Sequence, residues 1–139
     1  MRRAGLGIVA TVLVMACDNS TKATEPRGPF QLAGRYVLQT INGDPLPVHV
    51  AGDTVLVGDS LVLGVGYIFK QWQTVTTGGV TKEISSDGDF VASIDADSVT
   101  HISMLRQTPS YKTTNFPISK AGVATVTDFG TFTYVYKRQ

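Results

Sequence analysis

Between residues 34 and 138, apolar and polar residues alternate with a period of two in short runs that turn-forming residues separate. The run over residues 35–41, for example, ends at Asn42-Gly43-Asp44-Pro45, where glycine permits a positive φ and proline ends strand pairing. Nowhere in this segment do apolar residues recur at i, i+3, i+4 and i+7 over a helical length. The pattern therefore predicts β-strands rather than helices.

The alternation predicts eight or nine strands, whose short connections require antiparallel neighbours. Gly58-Asp59-Ser60 and Asp87-Gly88-Asp89 have the composition of tight turns. Residues 107–121 contain two prolines and are predicted to form a long loop or an irregular edge strand. The predicted strands cover residues 35–41, 54–57, 61–63, 67–76, 80–84, 90–94, 98–105, 123–127 and 131–136.

The composition of the same segment also favours strands. It contains 14 Val and 14 Thr, while Glu83 is its only glutamate, and β-branched residues are enriched in strands. Many short strands at regular spacing are typical of a sandwich or an up-and-down barrel. Because closure removes the exposed sheet edges that would otherwise aggregate, we expect an all-β fold, an antiparallel up-and-down β-barrel of about eight strands.

The N-terminal segment has the order of charges and apolar residues found in a secretory signal peptide. Arg2 and Arg3 precede an apolar run at residues 4–15, which ends at the small Ala16. A transmembrane helix needs about 20 apolar residues, so this run is too short to span a bilayer. We therefore expect residues 1–16 to direct export.

Val14-Met15-Ala16-Cys17 resembles the lipobox of bacterial lipoproteins. The resemblance implies cleavage before Cys17, a diacylglycerol on its thiol and acylation of the new amino group. Cys17 is the only cysteine of the chain, and a lone thiol in an oxidising compartment otherwise lacks an explanation. Cys17 is thus expected to anchor the protein to the inner or outer membrane of the bacterial cell envelope, facing the periplasm. Ordinary cleavage after Ala16 without lipid attachment is the alternative.

Residues 18–29, DNSTKATEPRGP, contain one hydrophobic residue and two prolines. This segment has too little apolar surface to offset the entropy of ordering it. The predicted organisation is therefore a signal peptide at residues 1–16, the lipidated cysteine and a flexible linker at 17–33, and a barrel domain at 34–139.

The start of the predicted domain resembles small lipocalin-like domains of bacterial envelope lipoproteins. Gly-x-Trp opens many lipocalins, and in Gly34-Arg35-Tyr36 a tyrosine stands in place of the tryptophan. The resemblance implies a calycin-type barrel whose mouth admits an apolar ligand. Further segments follow in the order that such domains show, namely Ile41-Asn42-Gly43-Asp44-Pro45, Leu61-Val62-Leu63, Gly66-Tyr67, Gly88-Asp89-Phe90 and Tyr134-Val135-Tyr136-Lys137-Arg138.

Charge and motif content disfavour several classes of function. Lys and Arg total 12 against 11 Asp and Glu, so no positive excess points to a nucleic-acid partner. His49 and His101 are the only histidines and no Gly-x-Ser-x-Gly elbow accompanies them, so we expect no enzyme activity and no catalytic residues. Four aspartates border predicted turns, where turn capping is favoured over calcium binding, and we expect neither a metal nor a cofactor. These are Asp87, Asp89, Asp95 and Asp97.

Large aromatic residues on the strongest strands are the candidate ligand-binding residues. Phe132, Tyr134 and Tyr136 alternate and therefore share one face, and Trp72 is expected at the rim. An eight-stranded barrel is either filled by side chains or holds one small ligand. Two functions stay open: a lipoprotein that binds a small apolar or amphipathic ligand, and a structural, protein-interaction or inhibitor module of the envelope with a packed barrel. The candidate residues are Tyr67, Phe69, Trp72, Phe132, Tyr134 and Tyr136.

Overall fold

The computed structural model describes residues 29–107, 112–128 and 131–139. The predicted signal peptide, Cys17 and most of the predicted linker lie outside the described residues. The described chain forms one helical turn, α1 (Pro29–Leu32), followed by ten strands. These are β1 (Gly34–Ile41), β2 (Asp44–Pro45), β3 (Val48–Ala51), β4 (Thr54–Leu63), β5 (Ile68–Thr77), β6 (Val80–Ile94), β7 (Thr100–Arg106), β8 (Lys112–Ile118), β9 (Val123–Asp128) and β10 (Phe132–Arg138).

Eight of the strands close into an antiparallel barrel, as the sequence predicts. Strands β4 to β10 pair in chain order, β10 pairs with β1, and β1 pairs back to β4 through Gly34↔Leu63 and Val37↔Ser60. The two short strands β2 and β3 are additional, pairing with β1 and β4 respectively. The all-β, up-and-down barrel is thus confirmed.

Both predicted tight turns lie inside continuous strands. Asp59 belongs to β4 and pairs with Gln73 of β5, next to a register shift between Leu56 and Gly58. Strand β6 continues through Gly88, where it changes partner: its residues up to Asp89 pair with β5, and those from Gly88 onward pair with β7. Glycine is common at bends and bulges within strands as well as in turns, so local composition could not distinguish the two.

Residues 112–118, which fall within the predicted long loop or edge strand, form the barrel strand β8. This strand pairs with β7 along its whole length, from Thr100↔Ile118 to Arg106↔Lys112. Its other side pairs with β9 only at Ile118↔Ala124. Strands β8 and β9 therefore hold together at one end of the barrel and separate toward the other.

The N-terminal turn covers one end of the barrel, which we call the closed end. Leu32 is fully buried, and its carbonyl accepts a hydrogen bond of 2.9 Å from the Tyr36 hydroxyl. The Arg138 guanidinium donates to the carbonyl oxygens of Gln31 and Ala33 at 2.9 and 2.6 Å. The packed domain therefore begins before Gly34, with residues that the sequence assigns to the linker.

No helix among the described residues has the length and apolarity needed to cross a membrane.

Candidate functional site

The barrel interior is packed toward the closed end and includes buried polar side chains further along the barrel. Phe69, Phe90 and Phe116 are each at most 2% exposed and fill the closed half together with aliphatic side chains. Further along β5, the inward positions change from Phe69 to Gln71 and Gln73. We call the end of the barrel near Arg106 and Lys112 the open end.

A cavity of about 230 Å³ lies inside the barrel at the open end. Strands β8 and β9 have separated at this level, and both contribute to its wall. Its lining is mixed, because apolar side chains alternate with amide, hydroxyl and cationic groups. The lining residues are Leu61, Gln71, Gln73, Met104, Arg106, Lys112, Thr114, Val126, Tyr134 and Tyr136.

A buried carboxylate of β4 lies next to this cavity and accepts hydrogen bonds from the adjacent strand β5 and from β10 across the barrel. Asp59 is 4% exposed, and its Oδ2 accepts hydrogen bonds from Gln71 Nε2 at 2.8 Å, Gln73 Nε2 at 2.8 Å and the Tyr136 hydroxyl at 2.9 Å. Gln71 Nε2 also lies 3.1 Å from Oδ1. Buried polar groups in proteins are usually satisfied by hydrogen bonds, as this carboxylate is by its three donors.

Burial and hydrogen bonding act in opposite directions on this acid. Burial raises the pKa of Asp59 from 3.8 to about 6, although the hydrogen bonds from Gln73, Tyr136 and Gln71 favour the charged form. Burial, followed by the nearby Asp59 charge, raises the pKa of Tyr136 well above its ordinary value. Tyr136 therefore stays protonated at neutral pH and acts as a donor.

Arg106 extends the network from β7 into the cavity. Its Nη2 donates to Gln71 Oε1 at 2.8 Å, while the amide nitrogen of the same glutamine donates to Asp59. Gln71 thus connects the Arg106 guanidinium to the buried Asp59 carboxylate. These two contacts fix the orientation of its amide, whose oxygen accepts and whose nitrogen donates. The arrangement offers hydrogen-bond donors and positive charge beside an apolar wall, which suits the binding of a small polar or amphipathic molecule.

The structure brings only part of the predicted aromatic set to this site. Tyr134 and Tyr136 line the cavity, and Phe132 packs on Tyr134 with ring centroids 6.2 Å apart. Phe132, Tyr134 and Tyr136 all contact the core, so the predicted shared face is present.

The other three predicted aromatics lie elsewhere. Phe69 is part of the packed closed half. Trp72 projects from the outer face of β5, between Ser60 and Ser85 of the adjacent strands, rather than at the rim. Tyr67 lies in the β4–β5 turn, 45% exposed, with its ring against Phe90.

The polar members of the site, Asp59, Gln71, Gln73 and Arg106, are absent from the set that the sequence predicts. One signal for two of them exists in β5, where Phe69, Gln71 and Gln73 occupy alternate positions and must therefore face the same side. Glutamines that continue an apolar inward row indicate a polar interior. Asp59 had no such signal, because its strand was divided by the predicted turn.

The histidines and the other aspartates stand apart from the cavity. Asp95 caps the β6–β7 turn by accepting from the backbone nitrogens of Val99 and Asp97 at 2.9 and 3.0 Å, and the hydrogen bond from Val99, followed by that from His101, lowers the pKa of Asp95. The exposed His101 ring nitrogen Nε2 lies 2.7 Å from Asp95 Oδ2. Asp87 and Asp89 lie within β6 instead of bordering a turn. Within the described residues, no three His, Cys, Asp or Glu side chains converge as a metal site would require.

Fold and site together define a closed eight-stranded antiparallel barrel with a packed closed end and a cavity of mixed lining at the open end. No protein-family model matches the chain. No match was found among curated proteins or among solved structures.

Proposed function

We propose that this protein is a membrane-anchored lipoprotein of the bacterial cell envelope whose lipocalin-like barrel binds a small amphipathic molecule in its open end. The observation that supports the binding role is the 230 Å³ cavity with a mixed lining. Leu61, Met104 and Val126 offer an apolar wall, and the amides and hydroxyls offer hydrogen bonds. A packed structural barrel has no need for a cavity at this position.

The cavity limits the size of the ligand. Pockets for drug-sized molecules measure about 300–1,000 Å³, so 230 Å³ suits a smaller molecule of roughly ten non-hydrogen atoms. The proposed role is binding rather than catalysis, since the oxygens of Asp59 are occupied by donors and none of the described residues that line the cavity is acidic.

Filling the cavity is expected to abolish ligand binding. Thr114 of β8 lines the cavity, whereas its neighbour Thr113 is exposed on the outer face. Thr114→Trp places an indole in the cavity, and Thr113→Trp is the matched control. We expect octan-1-ol to perturb the amide resonances of β5, β7 and β10 in the mature chain, residues 17–139 with Cys17→Ser, and in the Thr113→Trp variant. The Thr114→Trp variant should show no such perturbation. Absence of binding in all three proteins would contradict the proposal and favour the packed interaction module.

Cys17→Ser is expected to release the protein from membranes. Two or three acyl chains on one residue hold a protein at a bilayer essentially permanently, because each buried methylene contributes about 0.8 kcal/mol. After removal of Arg2 and Arg3 the chain has ten basic and eleven acidic residues, so charge alone would not retain it. Membrane fractionation should recover wild type and a Ser20→Ala control in the membrane and Cys17→Ser in the soluble fraction. Membrane retention of Cys17→Ser would refute the anchor.

A further inference from the structure

The cavity is lined by a cation, Arg106, that forms no direct ion pair with a described carboxylate. Arg106 is half-buried and lines the open end. A guanidinium has five N–H donors, and one of them is directed to the neutral Gln71 Oε1. Within the described part of the chain, no carboxylate forms a salt bridge with Arg106.

Asp59, the nearest acid of the network, does not fill this role. Its oxygens already accept from Gln71, Gln73 and Tyr136, and Arg106 acts on it through charge and through the amide of Gln71 rather than by a direct hydrogen bond. Among the described residues that line the cavity, none is acidic. The Arg106 guanidinium therefore faces the cavity without a described carboxylate as its direct hydrogen-bond acceptor.

We propose that the ligand of the open end is an amphipathic carboxylate, whose carboxylate pairs with Arg106 and whose alkyl part contacts Leu61, Met104 and Val126. This inference rests on the proposed binding function. A planar guanidinium matches a carboxylate through two parallel N–H···O bonds, which gives both strength and orientation. Partial burial strengthens such a pair relative to one on the surface.

Three probes with the same chain and different head groups test the inference: octanoate, octan-1-ol and octylammonium. Each has roughly ten non-hydrogen atoms, in keeping with the cavity. At pH 7.5 octanoate is an anion and octylammonium a cation. Calorimetric titration of the mature chain, residues 17–139 with Cys17→Ser, should give octanoate an affinity about tenfold or more above that of octan-1-ol, as a hydrogen bond to a charged group predicts. Octylammonium should bind more weakly than octan-1-ol.

Substitutions then assign the preference to Arg106. Arg106→Met should lose the preference for octanoate over octan-1-ol, while Arg106→Lys should keep part of it. Arg35→Met, on the exposed outer face, is the matched control and should leave the preference unchanged. The comparison of head groups uses the wild-type protein alone. It therefore tests the preference for a carboxylate even if Arg106→Met fails to fold.

The outcomes separate this inference from the function on which it rests. Binding of octan-1-ol as tightly as octanoate in wild type would overturn the carboxylate inference and leave the binding function standing. A preference for octanoate that survives in Arg106→Met would overturn the role of Arg106. Failure of all three probes to bind would overturn the binding function, and the inference with it.

Discussion

Gly88→Ala is expected to destabilise the barrel by more than about 4 kcal/mol or to prevent folding. At this residue β6 leaves β5 and joins β7, so that the backbones of three strands converge. A Cβ atom at Gly88 would overlap the carbonyl oxygen of Leu105 and lie 3.0 Å from Phe69 Cε1. The overlapping atom belongs to the backbone of a paired strand and cannot move aside as a flexible side chain can.

Gly66→Ala provides the matched control, because a Cβ atom at Gly66 would meet nothing within 4 Å. This variant should stay within about 0.5 kcal/mol of wild type. Urea unfolding of both variants measures the difference. A Gly88→Ala protein whose free energy of unfolding lies within about 1 kcal/mol of wild type would show that β6 does not approach Leu105 as described.

Asp59 is expected to make the barrel less stable as pH rises from 4 to 7. Its pKa is 3.8 in the unfolded reference and about 6 in the folded protein, so between these values the folded state binds more protons than the unfolded state. The free energy of unfolding then falls with rising pH. The stabilising contribution of Asp59 is fully present below pH 4 and is lost as pH passes through about 6. The rise in its pKa corresponds to about 3 kcal/mol in the free energy of unfolding.

Comparison of wild type with Asp59→Asn isolates this effect, because all other titrating groups, including Asp95, remain in both proteins. The free energy of unfolding should be measured by urea titration at intervals from pH 4 to pH 8. We expect the wild-type value minus the Asp59→Asn value to decrease by about 3 kcal/mol across this range. Parallel pH profiles would show that Asp59 is not buried as an acid with a raised pKa.

The sequence was sufficient to predict the barrel because strand alternation and composition are local properties. It was insufficient at Asp59 and Gly88, where the same residues occur in turns and in bent or bulged strands. What decides between the two at Asp59 is its pairing with Gln73, and at Gly88 the approach of Leu105. The pairing of Asp59 with Gln73 and the approach of Leu105 to Gly88 each involve residues more than a dozen positions apart in the sequence.

The candidate site was predicted in part for a related reason. Alternation placed Phe132, Tyr134 and Tyr136 on the inner face, where they lie. Phe69 and Trp72 are three residues apart in β5 and therefore face opposite sides of the sheet. The two aromatic side chains could not both point into the barrel. The Asp59 network joins β4, β5 and β10, with Arg106 of β7 attached through Gln71, and no local pattern reports such a convergence.

The most stringent test of the binding site is a crystal structure of residues 17–139 with Cys17→Ser, soaked with octanoate. We expect a closed barrel with electron density for the fatty acid inside the open end, bordered by Thr114 and Val126, and with its carboxylate against Arg106. An open end filled by the chain's own side chains, with no octanoate inside the barrel, would contradict it.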